Sequence, residues 1–211
     1  MTGGGDVNSR APTYEDGALL ANDAEFFLYG GLKARSSDSQ DPPDGLVSCY
    51  EAYQYGPELS FTPNFDYRAL GEDTTRHITY GGAASAPSEN LAWYFSGLRS
   101  ASKGKIYKPP SSQNGSFDAI YVSDTLITLD MHERSKETFT NSTLPPGIDG
   151  RANPELVWVP VGRRGILVAL GGVVYPDFAL TTGASANETA SVSVYFYSIL
   201  HYPGSNPDRK T

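Results

Sequence analysis

Three apolar runs that each end in glycine constrain this chain more than any other feature. They are Glu25 to Gly31 (EFFLYGG), Leu91 to Gly97 (LAWYFSG) and Ile166 to Gly172 (ILVALGG). β-Branched and aromatic side chains crowd χ1 in a helical turn, so the runs read as strands. After each comes a long polar stretch and then a second run: Tyr50 to Gly56 (YEAYQYG), Leu126 to Met131 (LITLDM) and Val192 to Ser198 (VSVYFYS). A further aromatic strand follows in the first two sets, at Phe61 or Phe65 and at Phe139. A strand opened by a charged residue precedes the second and third sets, at Arg76 to Tyr80 and at Arg151 leading into Leu156 to Val159. The unit is therefore four strands, a-b-c-d, recurring every ~65–75 residues, longer than a compact blade repeat because of the b–c loop.

Composition agrees with many short strands and sharp turns. The 211 residues include 22 Gly and 15 Pro, only 19% are charged and 12% are aromatic. A coiled coil, a helical bundle or a charged disordered tail would need a different mixture. Only Asp130 to Thr138 (DMHERSKET) has a helical look, and it is too short and polar to bury a stripe. A net charge of −8 argues against general nucleic-acid binding, since phosphate neutralisation needs clustered cations. One cysteine, Cys49, leaves no intrachain disulfide and no thiolate-rich metal site. The fold expected is all-β.

A glycine doublet closing strand b, an aromatic on strand c, another about eight residues later on strand d, then Leu144-Pro145 and Arg151, resembles the kelch repeat of β-propellers. The likeness is densest from Leu126 to Gly172 and spans roughly residues 20 to 200. ITYGGAASAPSENLAWYFSGLRS and GRANPELVWVPVGRRGILVALGG are similar to segments of fungal kelch-propeller proteins, many of them at cell surfaces. The signature positions are Gly30, Gly31, Gly97, Gly171, Gly172, Tyr53, Phe139, Arg151 and Trp158. The second set departs from the pattern, with Gly97 alone and with Phe139 where kelch repeats usually carry Trp. The resemblance implies a kelch-type β-propeller of about three blades of four antiparallel strands, at 17–70, 76–145 and 150–203. A disordered segment (1–16) and a polar tail (204–211) flank it. Three blades fall short of the ~4–8 that close a propeller, so an incomplete or open propeller, a fragment of a larger protein, is expected. Its glycines would sit where inner strands crowd, although hairpin turns also use such doublets. Tyr53, Trp93, Trp158 and Tyr195 would fill the spaces between blades.

In such a sheet the b–c loops (32–48, 98–125 and 173–190) and the d–a links leave from one end. Three sequons map there: Asn114 and Asn187 in b–c loops, and Asn141 after strand d. They point to the secretory pathway or cell surface as part of a longer protein. Met1 to Asp23 has neither a basic n-region nor an apolar h-region, and the longest apolar run is about half a membrane span. One loop carries Arg99, Lys103, Lys105, Tyr107 and Lys108 without an acid, which suits an acidic partner or a sugar acid, or simply a solvated loop.

Catalysis finds little support. A galactose-oxidase-type copper enzyme, or another carbohydrate-active remnant, is the alternative. It would need two histidines and two tyrosines converging, with a cysteine linked to one tyrosine. His77, His132 and His201 are scattered, and neighbours Cys49 and Tyr50 would point to opposite faces of a strand. The acids form no hydrolase motif. The expectation is a non-catalytic scaffold with a protein or glycan partner, no cofactor or metal, no nucleic acid and no membrane segment, its oligomeric state open.

Overall fold

The computed structural model describes residues 14–33, 42–51, 65–100, 104, 106, 120–162, 165–174 and 194–198. Their strands are β1 (Tyr14–Glu15), β2 (Ala18–Ala21), β3 (Glu25–Tyr29), β4 (Leu32–Lys33), β5 (Leu46–Glu51), β6 (Phe65–Ala69), β7 (Ile78–Thr79) and β8 (Gly82–Ala86). They continue with β9 (Leu91–Phe95), β10 (Leu98–Ser100), β11 (Ile120–Val122), β12 (Thr125–Asp130), β13 (Thr138–Thr143), β14 (Glu155–Val159), β15 (Ile166–Leu170) and β16 (Val194–Ser198). One 3-10 turn, Pro87–Glu89, is the only helical piece among the described residues. The protein is all-β.

Three antiparallel sheets carry the repeat. Sheet I runs β2-β3-β5-β6, sheet II runs β8-β9-β12-β13 and sheet III runs β14-β15-β16, and none is closed. They stack face to face in chain order. Sheet II is covered on both sides, which is why LAWYF reads as a continuous apolar run and not an alternating one. Its Ala92, Tyr94, Ile127 and Leu129 share a core with Leu20, Phe27, Tyr29, Val47 and Cys49 of sheet I. Its Trp93, Phe95 and Leu126 share another with Leu156, Leu167 and Ala169 of sheet III. Removing a large aromatic such as Trp93 from such a core costs about 3–5 kcal/mol.

A repeated backbone joint explains the glycines. Strand b of each sheet ends in two consecutive left-handed residues: Gly30-Gly31, Ser96-Gly97 and Gly171-Gly172. One left-handed residue stands just before each strand a: Asp16, Tyr80 and Asn153. The paired kinks carry the chain out of the sheet into a short rim ladder. There β4 pairs with β1, β10 with β7 and β11, and Val173 with Ala152. The rim also ties each sheet to the next: Gly31 N–H donates to Ile78 O at 2.7 Å and Gly97 N–H to Arg151 O at 3.0 Å. A Cβ on Gly97 would stand 2.5 Å from Thr79 O, so a side chain is excluded by space as well as by φ.

Several sequence expectations are corrected here. Strand a of the second set is Gly82–Ala86 and not Arg76 to Tyr80, whose Ile78–Thr79 belongs to the rim. Small residues hid it, and they are required: β8 lies between β2 and β14, and a Cβ on Gly82 would come 2.9 Å from Pro154 O. Strand a of the first set, ALLA at Ala18–Ala21, escaped for the same weakness of β-propensity. Strand c of the first set, expected from Tyr50 to Gly56, already begins at Leu46 and is described as Leu46–Glu51, while 52–56 lie outside the described residues. The segment expected as one loop from Leu98 to Thr125 contains β10 and β11. Measured from the left-handed residue before strand a, Arg151 aligns with Ile78 and not with Arg76.

Candidate functional site

The rim end of the sheets holds most of the residues the sequence singled out. Arg151 is wholly buried there. Its Nη1 donates to Gly171 O at 2.7 Å and its Nε to Asp149 O at 3.4 Å, so it braces the joint of sheet III. Its backbone N–H donates to Ser96 Oγ at 2.6 Å. Ser96 occupies the place that glycine holds in the other two sheets, at φ 56°. Its hydroxyl donates to Ser123 O at 2.5 Å, so Ser96 bridges two rim segments through one buried oxygen.

Arg99 lies on strand β10, between Ile78 and Tyr121, and not in a loop. Tyr121 is half exposed beside it. Lys103, Lys105, Tyr107 and Lys108 lie outside the described residues, as do Tyr53, Asn114 and Asn187. Asn141 is corrected: it sits within β13, opposite Ile127, and not in the link after it. It is exposed on the outer edge strand of sheet II, and its Nδ2 donates to Asp73 O at 2.8 Å. Phe139 packs between sheets I and II, edge-on to Phe27 and stacked on Tyr29. Trp158 packs against the core between sheets II and III. A small crevice in that core is lined wholly by apolar groups, among them Phe95, Leu144 and Ile148.

Sequence reasoning missed a cluster at the opposite end, where sheets I and II meet. Glu25 opens β3 and Glu137 precedes β13, and both carboxyls are buried. Arg68 Nε donates to Glu137 Oε2 at 2.6 Å and Arg134 Nε to Glu25 Oε1 at 3.0 Å, while Arg68 also binds Asp66. Burial raises the Glu25 pKa, helped by the hydrogen bond and negative charge of Glu137. Burial pushes Glu137 the same way, but hydrogen bonds from Glu25, from its own and the Ser135 backbone N–H, and from Arg68 outweigh it and lower its pKa. The two carboxyls are thus driven apart in pKa, Glu25 upward and Glu137 downward, as happens when neighbouring acids meet different partners. Such splitting marks some catalytic acids and bases. Here both groups are enclosed between two sheets and held by arginines, so the pair acts as an inter-sheet clamp. The 112 positions separating Glu25 from Glu137 left no local motif to find.

Cys49 points into the core between sheets I and II, and burial pushes its thiol pKa up to about 12. Tyr50, next to it, faces the other way and stacks on Phe26 at 4.9 Å. His77 approaches Asp44 at 3.5 Å and His132 approaches Asp130 at 2.6 Å. Among the described residues, no three His, Cys, Asp or Glu side chains group as metal ligands do. Nor is any helix among them long and apolar enough to cross a membrane.

No protein-family model matches the chain, and no curated protein matches it either.

Proposed function

We propose that the chain is a non-catalytic interaction scaffold built as an incomplete kelch-type propeller, each stacked sheet being one blade. Its partner is a protein or glycan met in the secretory pathway or at the cell surface. One observation carries the reading: all three b strands end at the same rim, through the same pair of left-handed residues. Every long b–c connection thus starts from one rigid edge, the arrangement in which loops on a scaffold do the recognising. The rim's Arg99, with Lys103, Lys105, Tyr107 and Lys108 in the connection that follows, gives that edge a basic, aromatic segment suited to acidic groups.

The test uses two acidic probes, oligogalacturonate and polyglutamate, titrated calorimetrically against the chain. Charge reversal at Lys103, Lys105 and Lys108 to Glu should weaken the better probe at least tenfold. No binding of either probe, or binding indifferent to the reversal, overturns the proposed acidic partner. Oxygen-dependent oxidation of a primary alcohol after copper loading would overturn the non-catalytic reading and favour the oxidase. Secretion from yeast followed by endoglycosidase treatment should collapse the glycosylated bands, and Asn→Gln changes at Asn114, Asn141 and Asn187 should remove them.

A further inference from the structure

Most arginines among the described residues have their heads engaged. Arg68 and Arg134 bind the buried glutamates, Arg76 donates to Pro42 O at 2.8 Å, and Arg151 donates to Gly171 O. Arg99 differs. Its Nε is enclosed without a hydrogen-bond partner, and no carboxylate among the described residues stands within ion-pair distance of its guanidinium. A cationic donor shut away from water with nothing to bind is costly, so this group is set up to receive an anion.

Strand β10 fixes where it stands. Leu98 and Ser100 are both buried, so strand alternation turns Arg99 to the other face. Directly across the ladder from Arg99 are Ile78 on one side and Tyr121 on the other. Ile78 is buried and Tyr121 is 50% exposed, so Arg99 lies between an enclosed aliphatic residue and an aromatic ring open to solvent. Opposed residues of this kind sit ~4.5–5.5 Å apart at Cβ, a span that one sugar ring covers. The connection that leaves β10 is tied back to it, Ser100 Oγ donating to Gly104 O at 3.0 Å. A cation and a ring thus share one paired stretch of the rim and not a loose loop.

The chemistry that fits is a sugar acid. A hexuronate carries its carboxylate on the pyranose ring, so an apolar C–H face can lie on Tyr121 while the carboxylate oxygens accept from Arg99. A glutamate side chain offers the carboxylate on a flexible stem and no face. A neutral sugar offers the face and no charge. We infer that Arg99 and Tyr121 together recognise a uronic-acid residue of a glycan. This deepens the acidic-partner reading above and rests on it, taking the glycan of the two partner classes left open there.

Calorimetric titration of the whole chain with oligogalacturonate, its methyl ester and polyglutamate separates the outcomes. Oligogalacturonate should bind about tenfold more tightly than either of the others. Arg99→Gln removes the charge and should erase most of the preference over the methyl ester. Tyr121→Ala should weaken oligogalacturonate about tenfold and polyglutamate far less. Because Tyr121 is half exposed, its variant should keep the wild-type unfolding midpoint, and it carries the test if Arg99→Gln fails to fold. A methyl ester bound as tightly as the free acid, a preference indifferent to Arg99→Gln, or a Tyr121→Ala loss equal for both acidic probes overturns the inference. Polyglutamate bound as tightly as oligogalacturonate points to an acidic peptide, which overturns this inference and leaves the acidic-partner reading standing. Binding of neither acidic probe overturns both.

Discussion

Ser96 offers the sharpest test of the rim. It sits in a left-handed conformation where the other two sheets use glycine, and its hydroxyl serves Ser123 O and the Arg151 N–H at once. Ser96→Ala removes both hydrogen bonds, leaves two buried backbone groups without that partner and keeps the strained φ. At ~1–3 kcal/mol for each of the two buried polar groups left unsatisfied, the expected loss is about 2–6 kcal/mol. Ser96→Gly loses the same bonds but relieves a left-handed penalty of ~1–2 kcal/mol. Glycine's extra freedom in the unfolded chain takes back ~0.4–1 kcal/mol. The glycine variant should therefore be ~0.5–1 kcal/mol more stable than the alanine variant, yet less stable than wild type. Urea unfolding followed by tryptophan fluorescence and circular dichroism resolves this. With a slope of ~2 kcal/mol per molar, the two midpoints should differ by ~0.25–0.5 M. A glycine variant no more stable than the alanine one would refute the left-handed strain at this position, and an alanine variant within ~1 kcal/mol of wild type would refute the bridging role given to this hydroxyl.

Gly97→Ala should cost about 3 kcal/mol in the same assay, combining left-handed strain with a Cβ pressed against Thr79 O; a neutral result would contradict the rim geometry. Glu25 favours its neutral form in the fold, so its contribution is present below the ordinary carboxyl value of 4.5 and is lost as pH rises through its raised pKa. Glu25→Gln keeps a neutral donor and acceptor, so the Tm of the variant should gain on wild type steadily as pH climbs toward neutrality; a gap that stays constant with pH would contradict the raised pKa of Glu25. The lowered Glu137 works in the opposite sense, adding stability above the ordinary value that disappears as pH falls through its depressed pKa. Cys49, buried and with its pKa up at about 12, should resist an aromatic disulfide reagent in native protein and react fully once unfolded; fast native labelling would place it at the surface.

Much of the architecture was written locally. Runs such as ILVALGG announce a strand and its stop, because β-branched and aromatic residues favour extended backbone and paired glycines permit two left-handed steps. The strands built from small residues, ALLA and GAASA, were illegible for a stated reason: crowding against neighbouring inner strands selects Gly, Ala and Ser, whose intrinsic preference points elsewhere. Two-residue strands such as β7 exist only because a partner far along the chain supplies their hydrogen bonds. The earlier start of strand c, at Leu46 and not Tyr50, has a similar origin, since alternating aromatics identify a strand without fixing its ends.

Amino-acid order alone settled that this protein is all-β, that its strand pattern recurs three times and that glycine closes the second strand of each repeat almost every time. Only packing in three dimensions decided which of those strands share a sheet, that Ser96 replaces a glycine by trading strain for two hydrogen bonds, and that Glu25 and Glu137 are buried together beside Arg68 and Arg134. The physical reason is range. Torsional preference acts within a few residues, whereas stacking one sheet on the next joins groups a hundred positions apart that no local pattern records.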